Sequence, residues 1–254
     1  MKKAEIKKVI LLAALLPLVL SMTAIGQDLQ TVKLNEPNKK RGLPVMEALS
    51  VKASATEWSD RELSPQDLAD LLWAANGVNR PESGKRTASS AMNAQDVDIY
   101  VFMKAGVFLY DAKEHALVPV AQGDLRSEII PARPAAGGPG GPPAKPGEKP
   151  VEKPQGPPPG APAAKPGAPQ TPSAPVLLVL VSDVSRFRAG SPEMKLEWGA
   201  IDTGIVSQNI SLFCAATGLA TRPRASMDRD KIRSLLKLKE TQYPMLNHPV
   251  GYKK

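Results

Sequence analysis

Between Pro131 and Pro175, sixteen prolines and eight glycines fill 24 of 45 positions, and no aromatic residue occurs. Proline removes a backbone donor and fixes φ, while glycine loses the most conformational freedom on ordering. The segment has too little apolar surface to offset that loss and is expected to be disordered, with polyproline II character. It therefore divides the chain, and each flank must be asked whether it could fold alone. The part before it offers two or three strands; the part after it offers a core helix and strands to be covered. Neither holds a complete core. The expected organisation is one domain over 27–130 and 176–254, interrupted by a disordered Pro/Gly-rich insertion at 131–175.

After the insertion, Val176 to Val181 (VLLVLV) is a continuous apolar run suited to a strand buried on both faces. The stretch from Trp198 to Ser226 follows. Its apolar residues, among them Ile201, Ile205, Val206, Ile210, Leu212, Phe213 and Cys214, wrap around most of a helix and predict a core helix ending at Gly218. Leu219 to Arg224 then forms an apolar-basic strip with Pro223 fixing the backbone, read either as a ligand loop delivered by that helix or as the plain continuation of a core helix. Asp228 caps a further helix carrying Ile232, Leu235 and Leu236. The closing MLNHPVGYKK reads as an edge or exchange strand.

Before the insertion, Pro44 opens a short helix from Leu43 to Ser50 with Val45, Met46 and Leu49 turned inward. Lys52 to Glu57 is an extended polar segment. Ser64, Pro65 and Asp67 make a helix start, with Leu68, Leu71, Leu72 and Ala75 along one face, and Gly77 ends the helix. Asn79 to Gln95 is mostly loop. Asp98 to Lys104 alternates Ile99, Val101 and Met103 with Tyr100 and Phe102, which makes it a central strand. Val107 to Tyr110 completes a hairpin, and Ala116 to Val120 adds a third strand. The order gives an α+β sandwich, a mainly antiparallel sheet packed by helices.

The first 26 residues have a basic start (Lys2, Lys3, Lys7, Lys8), an apolar centre and a small-x-small end at Ala24–Gly26. They are read as a signal peptide, giving an exported, periplasmic protein that begins at Gln27. Of the formal charge of +8, that leader carries +3 and the insertion another +3, leaving about +2 for the rest. Such a balance gives no footprint for nucleic acid. Cys214 is the single cysteine, so no internal disulfide can form, and it is read as inert packing. His115 and His248 are isolated, so no His/Cys zinc site is expected and no metal is assigned. His115 reads as a solvated turn residue. Phosphate-binding loops, dinucleotide fingerprints and nucleophile elbows are absent from the sequence.

What remains is polar loops at strand and helix ends. Ser89, Ser90, Asn93 and Gln95 could meet the edge of a heterocycle, and Lys52 and Ser54, with Lys253 and Lys254, could hold a phosphate; each could equally be a solvated turn or chain end. The segments RTASSAMNAQDVDIYVF, GLATRPRAS, LLWAANGVNRP and NHPVGY together resemble the flavin-dependent nitroreductase family, most of all its exported subgroup from Bacteroides-like bacteria. The likeness runs from about Leu43 to the C-terminus and is broken only by the insertion.

That resemblance implies a nitroreductase-like fold, an intertwined homodimer and FMN as cofactor at the subunit interface. It implies that Lys52 and Ser54 grip the phosphate and ribityl chain, and that Ser90, Asn93 and Gln95 touch flavin and ribityl groups. Pro223, Arg224 and Ala225 would lie along the isoalloxazine with a backbone amide near N5, and Lys253 would meet the phosphate. The implied activity is an FMN-dependent oxidoreductase, with ping-pong hydride transfer from NAD(P)H or another donor through flavin N5 to a nitroaromatic, quinone or similar acceptor. The flavin carries the chemistry, so no side chain is assigned as catalytic. The chain departs from the family pattern at Lys52, which replaces an arginine fork with a point charge, at Thr56, which replaces a base, and at Ser89 and Ala225–Ser226. The alternative is a non-catalytic flavin-fold protein whose proline-rich loop serves partner or envelope contacts.

Overall fold

In the computed structural model, residues 29–130 and 174–254 are described; residues 1–28, which hold the expected signal peptide, and nearly all of the proline-rich segment lie outside them. Nine strands and four helices follow in order: β1 (Val32–Lys33), α1 (Val45–Val51), α2 (Pro65–Asn76), β2 (Val78–Arg80), β3 (Lys85–Arg86), β4 (Val97–Met103), β5 (Gly106–Asp111), β6 (Ala116–Gln122), β7 (Val176–Asp183), α3 (Pro192–Thr217), β8 (Leu219–Thr221), α4 (Arg229–Leu236) and β9 (Gln242–Tyr252). Seven strands form one antiparallel sheet in the order β1-β6-β5-β4-β7-β9-β8, and β2 and β3 form a small hairpin within the expected loop. Strands from both sides of the proline-rich segment share that sheet, since β4 pairs with β7 from Val97↔Ser182 to Phe102↔Leu177.

The period-two pattern of β4 divides the core. Val97, Ile99 and Val101 face α2 and α3, against Leu68, Leu71, Leu72, Val206, Ile210 and Cys214. Tyr100 and Phe102 face the other way, against Ile129, Ile232 and Leu236 of the α4 layer. All eight residues of β7 are buried, as a strand covered on both faces requires. Helix α2 begins as its sequence dictates: the Ser64 side chain accepts from the Asp67 amide at 3.0 Å, and Pro65 fills the first turn. Among the described residues no helix is long and apolar enough to cross a membrane.

Several expectations are corrected. In α1 only Ala48 is buried, while Val45, Leu49 and Met46 point outward, Met46 at 73% exposure. Just before the helix the Leu43 amide donates to Ala216 O at 2.9 Å, which ties this segment to the end of α3. Helix α3 starts at Pro192, capped by Ser191, and is not buried all round. Its inner line is Gly199, Asp202, Thr203, Val206, Ser207, Ile210, Ser211 and Cys214, whereas Ile201 is 54% exposed. Hydroxyls can face the core because they return to carbonyls one turn back: Thr203 Oγ1 to Gly199 O at 2.7 Å, Ser211 Oγ to Ser207 O at 2.9 Å.

Helix α2 ends at Gly77 as expected; the residue is extended (φ −76°), and its requirement is space, since a Cβ there would lie 2.7 Å from Trp73 Cα. Gly218 does take the left-handed cap, at φ 77°. His115 is a half-buried clasp, its ring nitrogens bonding Tyr110 Oη and Asn35 O at 2.9 Å each, and burial lowers its pKa. Finally β9 is not an edge strand: it lies between β7 and β8. Ala174 and Pro175, the end of the proline-rich segment, are buried, and Arg126 Nη1 donates to both their carbonyls, at 3.1 and 2.8 Å.

Candidate functional site

Where α3 ends and β8 begins, the extended segment after α1 runs alongside the sheet edge. The Ala55 amide donates to Thr221 O at 2.9 Å, and buried Trp58 donates through Nε1 to Ala220 O at 2.9 Å. Between these elements opens a cleft of about 310 Å³, lined by Ser54, Thr56, Glu57, Ser211, Thr221 and Lys253, among others. Hydroxyls and an ammonium group on an open rim suit a phosphate-bearing ligand. Lys254 also lines it and stands 3.8 Å from Glu57. Lys52 does not line it, although its neighbours Val51 and Ala53 do.

The strip from Arg222 to Ser226 continues from β8 past the cleft. Pro223 and Ala225 are exposed. The Arg224 guanidinium lies 5.6 Å from the centre of the Trp58 ring, and burial and the charge of Arg222 lower its pKa. Arg224 exchanges both backbone hydrogen bonds with Asn247, at 2.9 and 2.8 Å. In a strand whose residue bonds its partner through both groups, the adjoining groups turn away. Pro223 O and the Ala225 amide therefore face away from β9, and that amide has no acceptor among the described residues. An open donor beside an open acceptor, on an exposed edge, can read one side of a planar heterocycle.

The third predicted group lies elsewhere. Met92, Asn93 and Gln95 all take positive φ (53°, 54° and 49°), a cluster of left-handed non-glycine residues of the kind held in place at binding sites. Ser90 and Gln95 are engaged in the loop itself: Ser90 Oγ accepts from the Gln95 amide at 2.8 Å, and Gln95 Nε2 donates to Gly84 O at 2.9 Å. Asn93 is exposed, and its side chain has no partner among the described residues. The loop is pinned to α3 by the Ala91 amide, which donates to Asp202 Oδ2 at 2.9 Å. The cleft meets α3 at Ser211, Cys214 and Ala215. At 1.5 Å per residue, Asp202 and Cys214 are about 18 Å apart along the helix. One chain thus brings Ser54, Lys253 and the 223–225 strip together, and leaves Ser90, Asn93 and Gln95 at the far end of α3.

The sequence profile of the Nitroreductase family matches residues 55–252. The chain belongs to the nitroreductase family. It is 24% identical over 232 residues to a candidate nitroreductase of Methanocaldococcus jannaschii, covering 89% of this chain and 94% of that one. Among solved structures it is similar to a candidate nitroreductase from Ralstonia eutropha, with a TM-score of 0.69, 25% identity, and 91% and 92% of the two chains covered. The fold is shared with the Escherichia coli microcin synthetase complex, at a TM-score of 0.57 and 16% identity over 97% and 79% of the chains.

Two residues behind the cleft and its strip, His248 and Asn247, and one beside the distant loop, Asp96, were given no such role by the sequence. His248 is fully buried: its Nε2 lies 2.8 Å from Ser207 Oγ and its Nδ1 3.2 Å from Thr221 Oγ1, which itself donates to Pro249 O at 2.9 Å. Pro249 O only accepts, so the Thr221 proton points to it. Nδ1–H then donates to Thr221, and Nε2 accepts from Ser207, which is one proton per contact and a neutral ring. Burial lowers the ring's pKa to about 3. Asn247 Nδ2 donates to Arg224 O at 3.2 Å and Ser226 O at 3.0 Å. Asp96, buried before β4, accepts from Ser182 Oγ at 2.5 Å. The NHPVGY motif carries the first two, but nothing local in it tells which strip they hold. Cys214 lines the cleft, and burial raises its pKa, so it is not a thiolate. Among the described residues no group of three or more His, Cys, Asp or Glu could hold a metal ion.

Proposed function

We propose that this nitroreductase-family protein is an FMN-dependent oxidoreductase that passes electrons from NAD(P)H or another donor to a nitroaromatic, quinone or similar acceptor. The observation that carries the reading is the junction of the hydroxyl- and lysine-lined cleft with the open Pro223–Ala225 edge. The cleft fits a phosphate, and the edge fits a heterocycle that accepts one hydrogen bond. Bound FMN would supply two-electron chemistry at N5. Ser54 and Lys253 would hold its phosphate, Lys52 would add charge from outside the cleft, and the Ala225 amide would donate to the ring edge. Thr56 can donate a hydrogen bond but brings no charge.

A homodimer completes the site on this reading. The loop with Ser90, Asn93 and Gln95 is too far along α3 to reach its own chain's cleft, so a second copy would supply it. The exposed apolar side chains of α1 and α3, Val45, Met46, Leu49 and Ile201, give such a copy a surface to bury. Export after cleavage near Gly26–Gln27, and an insertion that leaves the domain intact, rest on the leader and on the composition of 131–175.

Purified protein mixed with FMN and then desalted is expected to stay yellow, to bleach with NADH or NADPH and to recolour with a nitroaromatic. A protein that remains colourless would refute the reading. Sedimentation at micromolar concentration is expected to give twice the chain mass.

A further inference from the structure

The register of β8 on β9 runs Leu219↔Tyr252, Ala220↔Gly251 and Thr221↔Val250, and it returns unshifted at Arg224↔Asn247. Between these points Arg222 stands opposite Pro249, and Pro223 opposite His248. At the 222–249 pair, the next that would bond, Pro249 deletes the donor that would meet Arg222 O, while Pro223 stands at a non-bonded position and stiffens the strip. Pro249 O is already occupied by the Thr221 hydroxyl. The strip would peel away from the sheet here unless something beyond the gap tied it down.

We propose that Asn247 is a positioning residue: its side-chain amide fastens the strip beyond the proline gap and so aims the Ala225 amide outward. The proposal rests on the flavin reading for what that amide meets, and on this chain alone for the fastening. Asn247 is 4% exposed. Its backbone makes the bridge to Arg224, and Nδ2 adds bonds to Arg224 O and Ser226 O. A trans peptide sets its carbonyl and amide on opposite sides, and no cis bond occurs among the described residues. Drawing Arg224 O inward turns the Ala225 amide out; drawing Ser226 O inward holds the 226–227 peptide, two peptides on, in the same sense. The geometry asks for two donors on a short side chain, which asparagine has and aspartate and serine lack. His248 secures the near end of the same strip through Thr221, so the two residues bracket the prolines.

Full-length Asn247→Asp, isosteric but without donors when ionised, and Asn247→Ala, without added charge, test this. In the apo proteins, hydrogen exchange is expected to show lost protection at the Arg224 and Asn247 amides, with the β4–β7 amides unchanged. FMN affinity is then measured for the oxidised cofactor by fluorescence quenching and for the dithionite-reduced cofactor under argon. Oxidised N5 accepts a hydrogen bond and reduced N5 carries its own hydrogen. Both variants are therefore expected to weaken the oxidised form roughly fivefold, the ordinary worth of one hydrogen bond, and the reduced form less than twofold. Equal weakening of both forms would show a merely structural role, and unchanged protection at Arg224 in both variants would overturn the fastening itself. If the wild type takes up no FMN, the flavin reading fails, and the exchange data alone decide the fastening. Should the Asp variant not fold, the Ala variant carries both measurements.

Discussion

Replacing Asp96 by asparagine is expected to make the protein more stable in alkali, by an amount set by one buried proton. Asp96 is fully buried; its Oδ2 accepts from Ser182 Oγ, and its Oδ1 has no hydrogen-bond partner among the described residues. Burial pushes its pKa up from 3.8 to about 7; the bond from Ser182 opposes this, and the nearby Asp202 carboxylate adds to it. The folded state therefore keeps a proton between pH 3.8 and about 7 that the unfolded chain has lost. Stability from this group is complete below that window and falls as pH rises through it. At 1.36 kcal/mol per unit the whole loss is about 4 kcal/mol, of which about 3 kcal/mol falls between pH 5 and pH 8. Asparagine does not titrate, keeps an acceptor for Ser182 and presents N–H to Asp202. Urea denaturation of both proteins at pH 5, 6, 7 and 8 should show the variant gaining about 3 kcal/mol on the wild type across the series. Asp67, Asp124 and Asp183, whose pKa values are lowered, titrate alike in both proteins and cancel. A difference that stays constant from pH 5 to pH 8 would refute the reasoning.

His248 has the opposite sign: with its pKa lowered from 6.5 to about 3, its contribution is whole above pH 6.5 and is lost as pH falls. His248→Gln is expected to lower the melting temperature at pH 7 but to flatten its decline between pH 6.5 and 4.5, which thermal melts across that range will read. Ser64→Ala removes the α2 cap and is expected to cost about 1 kcal/mol in urea denaturation, with the secondary-structure spectrum unchanged. Ile201→Glu sets a charge on the apolar outer face of α3. Sedimentation is expected to show the chain mass for this variant and twice that mass for the wild type, and a dimer that persists would remove that face from the interface.

Features written within a few residues were legible in the sequence. The Ser64–Pro65–Asp67 start, the two-sided strand from Asp98 and the VLLVLV run each state a local cap or period, and each lies where it was expected. The orientation of α3 was not legible, because all-round apolarity does not say which side is outside, and its buried hydroxyls are satisfied by their own helix. Met46 and Leu49 misled for the same reason: an apolar stripe faces whatever buries it, and that need not be the same chain. Ser54 and Lys253 meet in one cleft despite lying almost 200 residues apart. The motif likeness implied that they belong together, which spacing alone could not do. Asn247 and His248 were visible only as part of a motif. Their roles depend on a β8–β9 register that no local pattern encodes.

The strand order has a kinetic consequence. β9 follows every other strand in the chain but sits second from the sheet edge, between β7 and β8. Until it arrives, β7 shows an open edge over Val176–Val181, six consecutive apolar residues. The sheet cannot be zipped from one side to the other; its latest strand must enter a slot already walled by earlier ones. During that interval the open edge can pair with any extended segment, including β9 of another molecule in the same register. Correct closure is a first-order event and mispairing a second-order one. Refolding yield is thus the property this strand order places at risk, and it falls as protein concentration rises.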